Sequence, residues 1–99
     1  MFRVYKVGHL WVNGTQFHKV WIDPHYEVKH QGSINDELIL SLVGLLDRQL
    51  PFLPKKVRAD GFEFFESDLV WKGKHYRLIW IIPPDRDYLG VRNAYRRSP

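Results

Sequence analysis

The dipeptide Asn13-Gly14 separates two runs, FRVYKVGHLWV and TQFHKVWI, both rich in aromatic and β-branched residues. Asn-Gly supplies consecutive positive φ angles at little steric cost. A two-residue turn needs them if its twist is to match the strands it joins. The chain is therefore expected to open with a β-hairpin. Gly8, inside the first run, marks a bulge or a close backbone approach. Val20 and Ile22 share a face, and Pro24 ends the second strand or marks it as an edge.

A second turn signal, Lys72-Gly73-Lys74, lies between FEFFESDLVW and HYRLIWII. LIWII is apolar on both parities, which predicts a central strand covered on both faces. Pro83-Pro84-Asp85 turns the chain, and YLGVRNAYRR returns as the last strand.

Between these two β regions SINDELILSLVGLLDRQL reads as a helix. Ser33 and Asn35 compete as N-cap, and Asp36 favours the positive end of the helix dipole. Ile34, Leu38, Leu42 and Leu45 recur at helical spacing, as do Ile39, Val43, Leu46 and Leu50. So wide an apolar stripe packs on a sheet. Pro51 and Pro54 stop the helix, and PFLPKKVRAD follows as a loop carrying Lys55, Lys56 and Arg58. The order β-β-α-β-β-β predicts an α+β fold: an N-terminal β-hairpin and one main amphipathic helix packed on a mainly antiparallel sheet.

With 99 residues and 44 % hydrophobic content, the chain is expected to form a single domain, 1–99, around one modest core. Cysteine is absent, which excludes disulfides, thiolate metal sites and cysteine nucleophiles. No apolar run spans a membrane, no signal-peptide pattern opens the chain, and the expected location is the cytoplasm. The net charge of +4 lies wholly in the second half. Residues 1–50 hold five Lys/Arg against five Asp/Glu, and residues 51–99 hold ten against six. A basic half fits an anionic partner, RNA or an acidic protein, as well as it fits a solvated basic surface.

Two polar stretches hold side chains able to do chemistry. The first is HYEVKH, His25 to His30. On a continued strand, Tyr26, Val28 and His30 share one face, and His25, Glu27 and Lys29 the other, so the histidines do not converge. No metal-ligand spacing links them to His9, His18 or His75, and neither a metal nor any other cofactor is expected. His30 and Lys29 precede the expected helix start, where backbone N–H groups favour phosphate. A histidine titrating near neutrality also suits acid–base work. The plainer reading makes Tyr26 and His30 half-buried core residues.

The second is VRNAYRR. Arg92 and Arg96 share one face of the expected strand, and Asn93, Tyr95 and Arg97 the other. Arg77, among Leu78, Ile79 and Trp80, needs a carboxylate, a ligand or water. It either joins Arg92 in a basic patch or forms a cross-strand ion pair with Glu63 or Glu66. Histidine, lysine, arginine and tyrosine suffice to cleave RNA without metal. A base takes the 2′-hydroxyl proton, a cation stabilises the phosphorane, and an acid protonates the leaving oxygen. P-loop, GxGxxG and GxSxG motifs are all absent.

INDELILSLV, the strand around YRLIW and the closing VRNAYRR together resemble the small bacterial RNase toxins of the RelE/ParE-like and colicin-type superfamily, over roughly residues 25–97. The resemblance implies a helical segment on a four- or five-stranded antiparallel sheet, RNA cleavage without metal, and often an antitoxin partner. By it, His25 or His30 resembles the helix-proximal histidine, Arg77 the sheet arginine, and Tyr95 with Arg96 the terminal Tyr-Arg. The chain departs from the family in its single expected helix and its extra N-terminal hairpin.

The leading expectation is thus a metal-independent endoribonuclease of toxin type. His25, His30, Arg77 and Tyr95 would be catalytic, and Lys29, Arg92 and Arg96 would hold phosphate. The alternatives are a non-catalytic module binding nucleic acid or an acidic protein, and a structural or assembly protein. In the last, four tryptophans (Trp11, Trp21, Trp71, Trp80) would help form a homodimer interface.

Overall fold

The computed structural model describes residues 1–98. β1 (Arg3–Val12) and β2 (Thr15–Ile22) form the expected hairpin, with Asn13 at φ 50° and Gly14 at φ 77°. Asn13 has a second task. Its side-chain amide donates to the Phe52 carbonyl at 3.0 Å, and its Oδ1 accepts from the Phe52 N–H at 2.7 Å. That clamp sets Phe52 edge-on against Trp80, with ring centroids 5.4 Å apart. The β1–β2 register shifts between Lys6 and Leu10, so Gly8 does sit in a bulge.

After β2 the chain does not stay extended. Asp23 Oδ1 accepts from the His25 N–H at 2.9 Å and caps a 3-10 turn, Pro24–Tyr26. The turn runs straight into a short helix, α1 (Glu27–His30). Asp followed by Pro at the first helical position is a start signal for a helix, and here it overrides the strand pattern. Tyr26 is buried in the core, and His30, four residues on, is half-buried.

The long helix expected over 33–50 is also shorter. Asn35, not Ser33, is the cap: its side chain accepts from the Leu38 N–H at 2.8 Å. α2 spans Asp36–Gly44 only. Beyond it the chain is captured by the edge strand. Asp47 Oδ1 accepts from the Trp11 N–H at 2.7 Å, and the Arg48 N–H donates to the Trp11 carbonyl at 2.8 Å. Arg48 takes a left-handed φ of 59°, and Leu50, counted in the apolar stripe, is exposed. Competition from β1, not a proline, ends the helix.

Four further strands follow: β3 (Lys56–Val57), β4 (Glu63–Trp71), β5 (Lys74–Ile82) and β6 (Leu89–Arg97). β3 lies in the stretch expected to be a loop. The turn joining β4 to β5 is Lys72-Gly73, again with positive φ at both residues. All six strands form one sheet in the order β1-β2-β6-β5-β4-β3. β6 enters beside β2 in parallel, with Trp21 opposite Gly90, while the other pairs are antiparallel. The fold is α+β as expected. The sheet is mixed, two short helices replace the single long one, and the N-terminal hairpin is continuous with the other strands.

One face of the sheet holds the core. Ile39, Leu42, Val43 and Leu46 pack with Phe17, Val20, Ile22, Phe65, Leu78, Trp80 and Val91. Trp80 stacks on Phe65 at 4.0 Å and donates its indole N–H to Ser67 Oγ at 3.0 Å. On the opposite face of β5, Ile81 is buried and Ile79 only half-buried, so LIWII is not fully covered on both sides. Trp21 and Tyr88 stack at 4.0 Å beside Gly90, where a Cβ would lie 2.7 Å from Ile81 Cγ1 and 3.2 Å from Tyr88 Cε1. Gly90 is thus a close-approach glycine. Among the described residues no helix is long and apolar enough to cross a membrane.

Candidate functional site

The helix-free face of β4, β5 and β6 gathers most of the side chains singled out from the sequence. Asp68, Arg77 and Tyr95 stand in one cross-strand row, with Val70, His75 and Arg97 in the next. Arg77 grips Asp68 through Nε at 2.8 Å and Nη2 at 3.2 Å, and its Nη1 lies 3.6 Å from Glu66. Arg97 Nη1 reaches the same Asp68 at 2.8 Å. Arg77 therefore forms the cross-strand ion pair that is one of its two expected fates, chiefly with Asp68. Glu63 turns instead to Arg86, at 3.4 Å.

Hydrogen bonds from Arg77 and then Arg97 hold the Asp68 carboxyl well below its ordinary range, at about 2. Asp68 first, and the Tyr95 hydroxyl second, hold the Arg77 guanidinium above its usual value. Both groups stay charged at any physiological pH. Arg77, Arg97 and Lys55 meet two carboxylates, Asp68 and Glu66, and leave one excess positive charge at this point of the sheet.

His30 joins this row from the side. The β2–β6 pairing covers only Leu89 to Val91, so the later part of β6 is left to the segment after β2. There the His30 ring stacks on Tyr95, with centroids 5.4 Å apart and planes 28° from parallel. Of the HYEVKH side chains, His30 alone reaches the arginines' row. His25 and Lys29 are exposed, away from it.

Arg92 occupies a bulge of β6, where the register shifts between Ile79 and Trp80. Bulges re-aim side chains. This one parts Arg92 from Arg96, which strand parity alone puts on one face. Arg92 lines a groove with Phe64, Glu66 and Ile79, with Asp23 at 3.8 Å. Arg96, opposite Tyr76, lies on the other face from Tyr95 and is exposed. Arg77 and Arg92 therefore belong to neighbouring sites and do not form one cluster.

A second polar cluster escapes sequence reasoning. Asp36, the first residue of α2, accepts from Arg3 Nε at 2.6 Å and Nη2 at 2.8 Å, from Tyr5 Oη at 2.5 Å and from Tyr26 Oη at 2.7 Å. Arg3 also reaches Glu27 at 3.2 Å. The Arg3 bonds, joined by those of the two tyrosines, hold the Asp36 carboxyl at about 2. Burial, and then the bond to Asp36, push Tyr26 up to about 12. The signal is present in Arg3 and Tyr5, two polar residues on the core-facing parity of β1, but their partner lies over thirty positions away. The charges of this cluster satisfy one another. It ties α2 to β1 and to the turn that positions His30.

Among the described residues no group of His, Asp and Glu is arranged to hold a metal ion. Comparison of the chain with protein-family models, with curated proteins and with solved structures finds no match.

Proposed function

We propose that the protein binds single-stranded RNA on the helix-free face of its sheet. One arrangement supports this above all: Tyr95, carrying His30 against its ring, stands beside Arg77 and Arg97 on an open strand surface. Aromatic rings on an open sheet stack unpaired bases, guanidinium groups engage phosphates, and neither demands a particular sequence. Asp68 orients both arginines without cancelling their combined charge. The net charge of +4 adds steering toward a polyanion.

Metal-independent cleavage is a second reading, favoured by the 5.4 Å approach of His30 to Tyr95. His30 would take the 2′-hydroxyl proton, Arg77 would stabilise the phosphorane, and Tyr95 would protonate the leaving 5′-oxygen. That chemistry carries with it the resemblance to the RNase toxins, and hence an acidic antitoxin covering the same basic face. Binding is preferred because it needs only the excess positive charge of the arginine row, whereas cleavage needs the Arg77 guanidinium released from Asp68 onto the phosphorane.

Both readings are tested by mixing the protein with labelled single-stranded RNA in EDTA, beside the Tyr95→Ala, Arg77→Ala and His30→Ala variants. Binding predicts a salt-sensitive complex with intact RNA, weakened about 5-fold or more by Tyr95→Ala through lost stacking. Cleavage predicts product that disappears in His30→Ala. Absence of both complex and product at low salt rejects both.

A further inference from the structure

Beside the Tyr95 row lies a groove of about 340 Å³. Phe64 and Ile79 form an apolar floor, and Lys55, Lys56, Arg58 and Arg92 form the rim. The geometry points to this groove as the seat of one unpaired nucleotide, its base on Phe64 and its phosphate between Lys56 and Arg92. The inference rests on the RNA reading above and specifies where the strand goes after Tyr95.

Four cations meet one lining carboxylate, Glu66. Glu66 is already satisfied by Lys55, with Arg77 at 3.6 Å. Arg58 is steered by Asp60 and lies over two rings, 5.2 Å from the Phe62 centroid and 5.5 Å from that of Phe64. That contact leaves a cation fixed beside an aromatic surface, the pairing that accepts a base and its phosphate together. Arg92 reaches Asp23 only at 3.8 Å, and Lys56 has no ion-pair partner among the described residues. These two are the charges available to a ligand. They come from distant parts of the chain: β3 supplies Lys56, and the β6 bulge aims Arg92 into the same space.

The floor separates this site from a plain anion site. Inorganic phosphate has no use for Phe64 and Ile79, whereas a nucleobase does. A duplex hides its base faces within the stack, so it has no free face to lay on Phe64 and cannot fill the groove. Ile79 follows Arg77 by two residues on the same face of β5, a separation of roughly 7 Å along the strand. A strand stacked on Tyr95 thus reaches Phe64 without crossing the sheet.

The test compares a short labelled RNA, single-stranded and annealed to its complement, by fluorescence anisotropy at fixed salt. Wild type is set beside Phe64→Leu and Lys56→Ala. The single strand is expected to bind more tightly than the duplex. Phe64→Leu is expected to weaken it about 5–50-fold, and Lys56→Ala to lower the salt slope by about one. Circular dichroism confirms that Phe64→Leu is folded, and Lys56, being exposed, gives a second readout independent of packing. Equal binding of single strand and duplex overturns the assignment, as does wild-type affinity and salt slope in both variants. A polyglutamate peptide that displaces the RNA at equal charge concentration also overturns it, in favour of an acidic protein segment. Loss of affinity in Tyr95→Ala with none in Phe64→Leu sinks the groove and leaves the RNA reading standing. No binding by wild type sinks both.

Discussion

Replacing Asp36 by Asn tests how the site is held in place. The substitution keeps the shape of the side chain and removes the charge on which Arg3, Tyr5 and Tyr26 converge. Arg3 is 39 % exposed, so its ion pair by itself contributes little after solvent screening. Asp36 is 15 % exposed, and its carboxyl is held at about 2. A carboxylate so far below its unfolded value contributes on the order of 2 kcal/mol at neutral pH. For a chain of this length, that corresponds to a fall in Tm of about 10 °C. The sign follows from the depressed value. The contribution is complete above the unfolded carboxyl's pKa, near 4, and is lost as pH falls through about 2. Urea unfolding of wild type and Asp36→Asn from pH 7 down to pH 2 should give two curves that converge at the acid end. Asp68 titrates in the same range but is common to both proteins, so the difference isolates Asp36. A difference below about 0.5 kcal/mol at pH 7, or one that does not shrink with acid, would refute this account of the cluster.

Other changes probe the cap, the close approach and the charge balance. Asn35→Ala should cost about 1 kcal/mol in urea unfolding, because the Leu38 N–H loses its acceptor. Asn35→Ser should cost much less in the same assay, since a hydroxyl caps almost as well as an amide. Gly90→Ala should cost about 1–3 kcal/mol and reduce the near-UV signal of the Trp21–Tyr88 stack, since the added methyl meets Ile81. Asp68→Asn, at a residue 57 % exposed, should change stability by under about 1 kcal/mol. It should also tighten RNA binding by freeing Arg77 and Arg97, which anisotropy would detect.

The hairpins are legible in the sequence because their turn chemistry is local: Asn13-Gly14 and Lys72-Gly73 need no distant partner to take positive φ. The bulge at Gly8 is legible for the same reason. The helix is not. Its apolar spacing continues to Leu50, but the Asp47 side chain and the Arg48 backbone are drawn to the Trp11 backbone, interactions that span 36 or more positions. Pro24 reads as the end of a strand, although Asp23 before it is an N-cap. That one cap turns an expected extended segment into a 3-10 turn and α1.

The candidate site divides along the same line. Arg77 opposite Tyr95 follows from strand parity once β5 and β6 pair, and His30 alone of the two histidines approaches them. Arg92 escapes parity because a β6 bulge adds a residue, and no sequence pattern announces it. The parallel entry of β6 beside β2 is equally silent, since it depends on the whole intervening chain.

The most direct measurement is a titration of single-stranded RNA into isotope-labelled protein, followed by the backbone amide and arginine Nε resonances. RNA binding on the open face predicts saturable shifts at Arg77, Ile79, Arg92 and Tyr95, with α2 and the Asp36 cluster unmoved. Shifts confined to α2, or none at low salt, would contradict it.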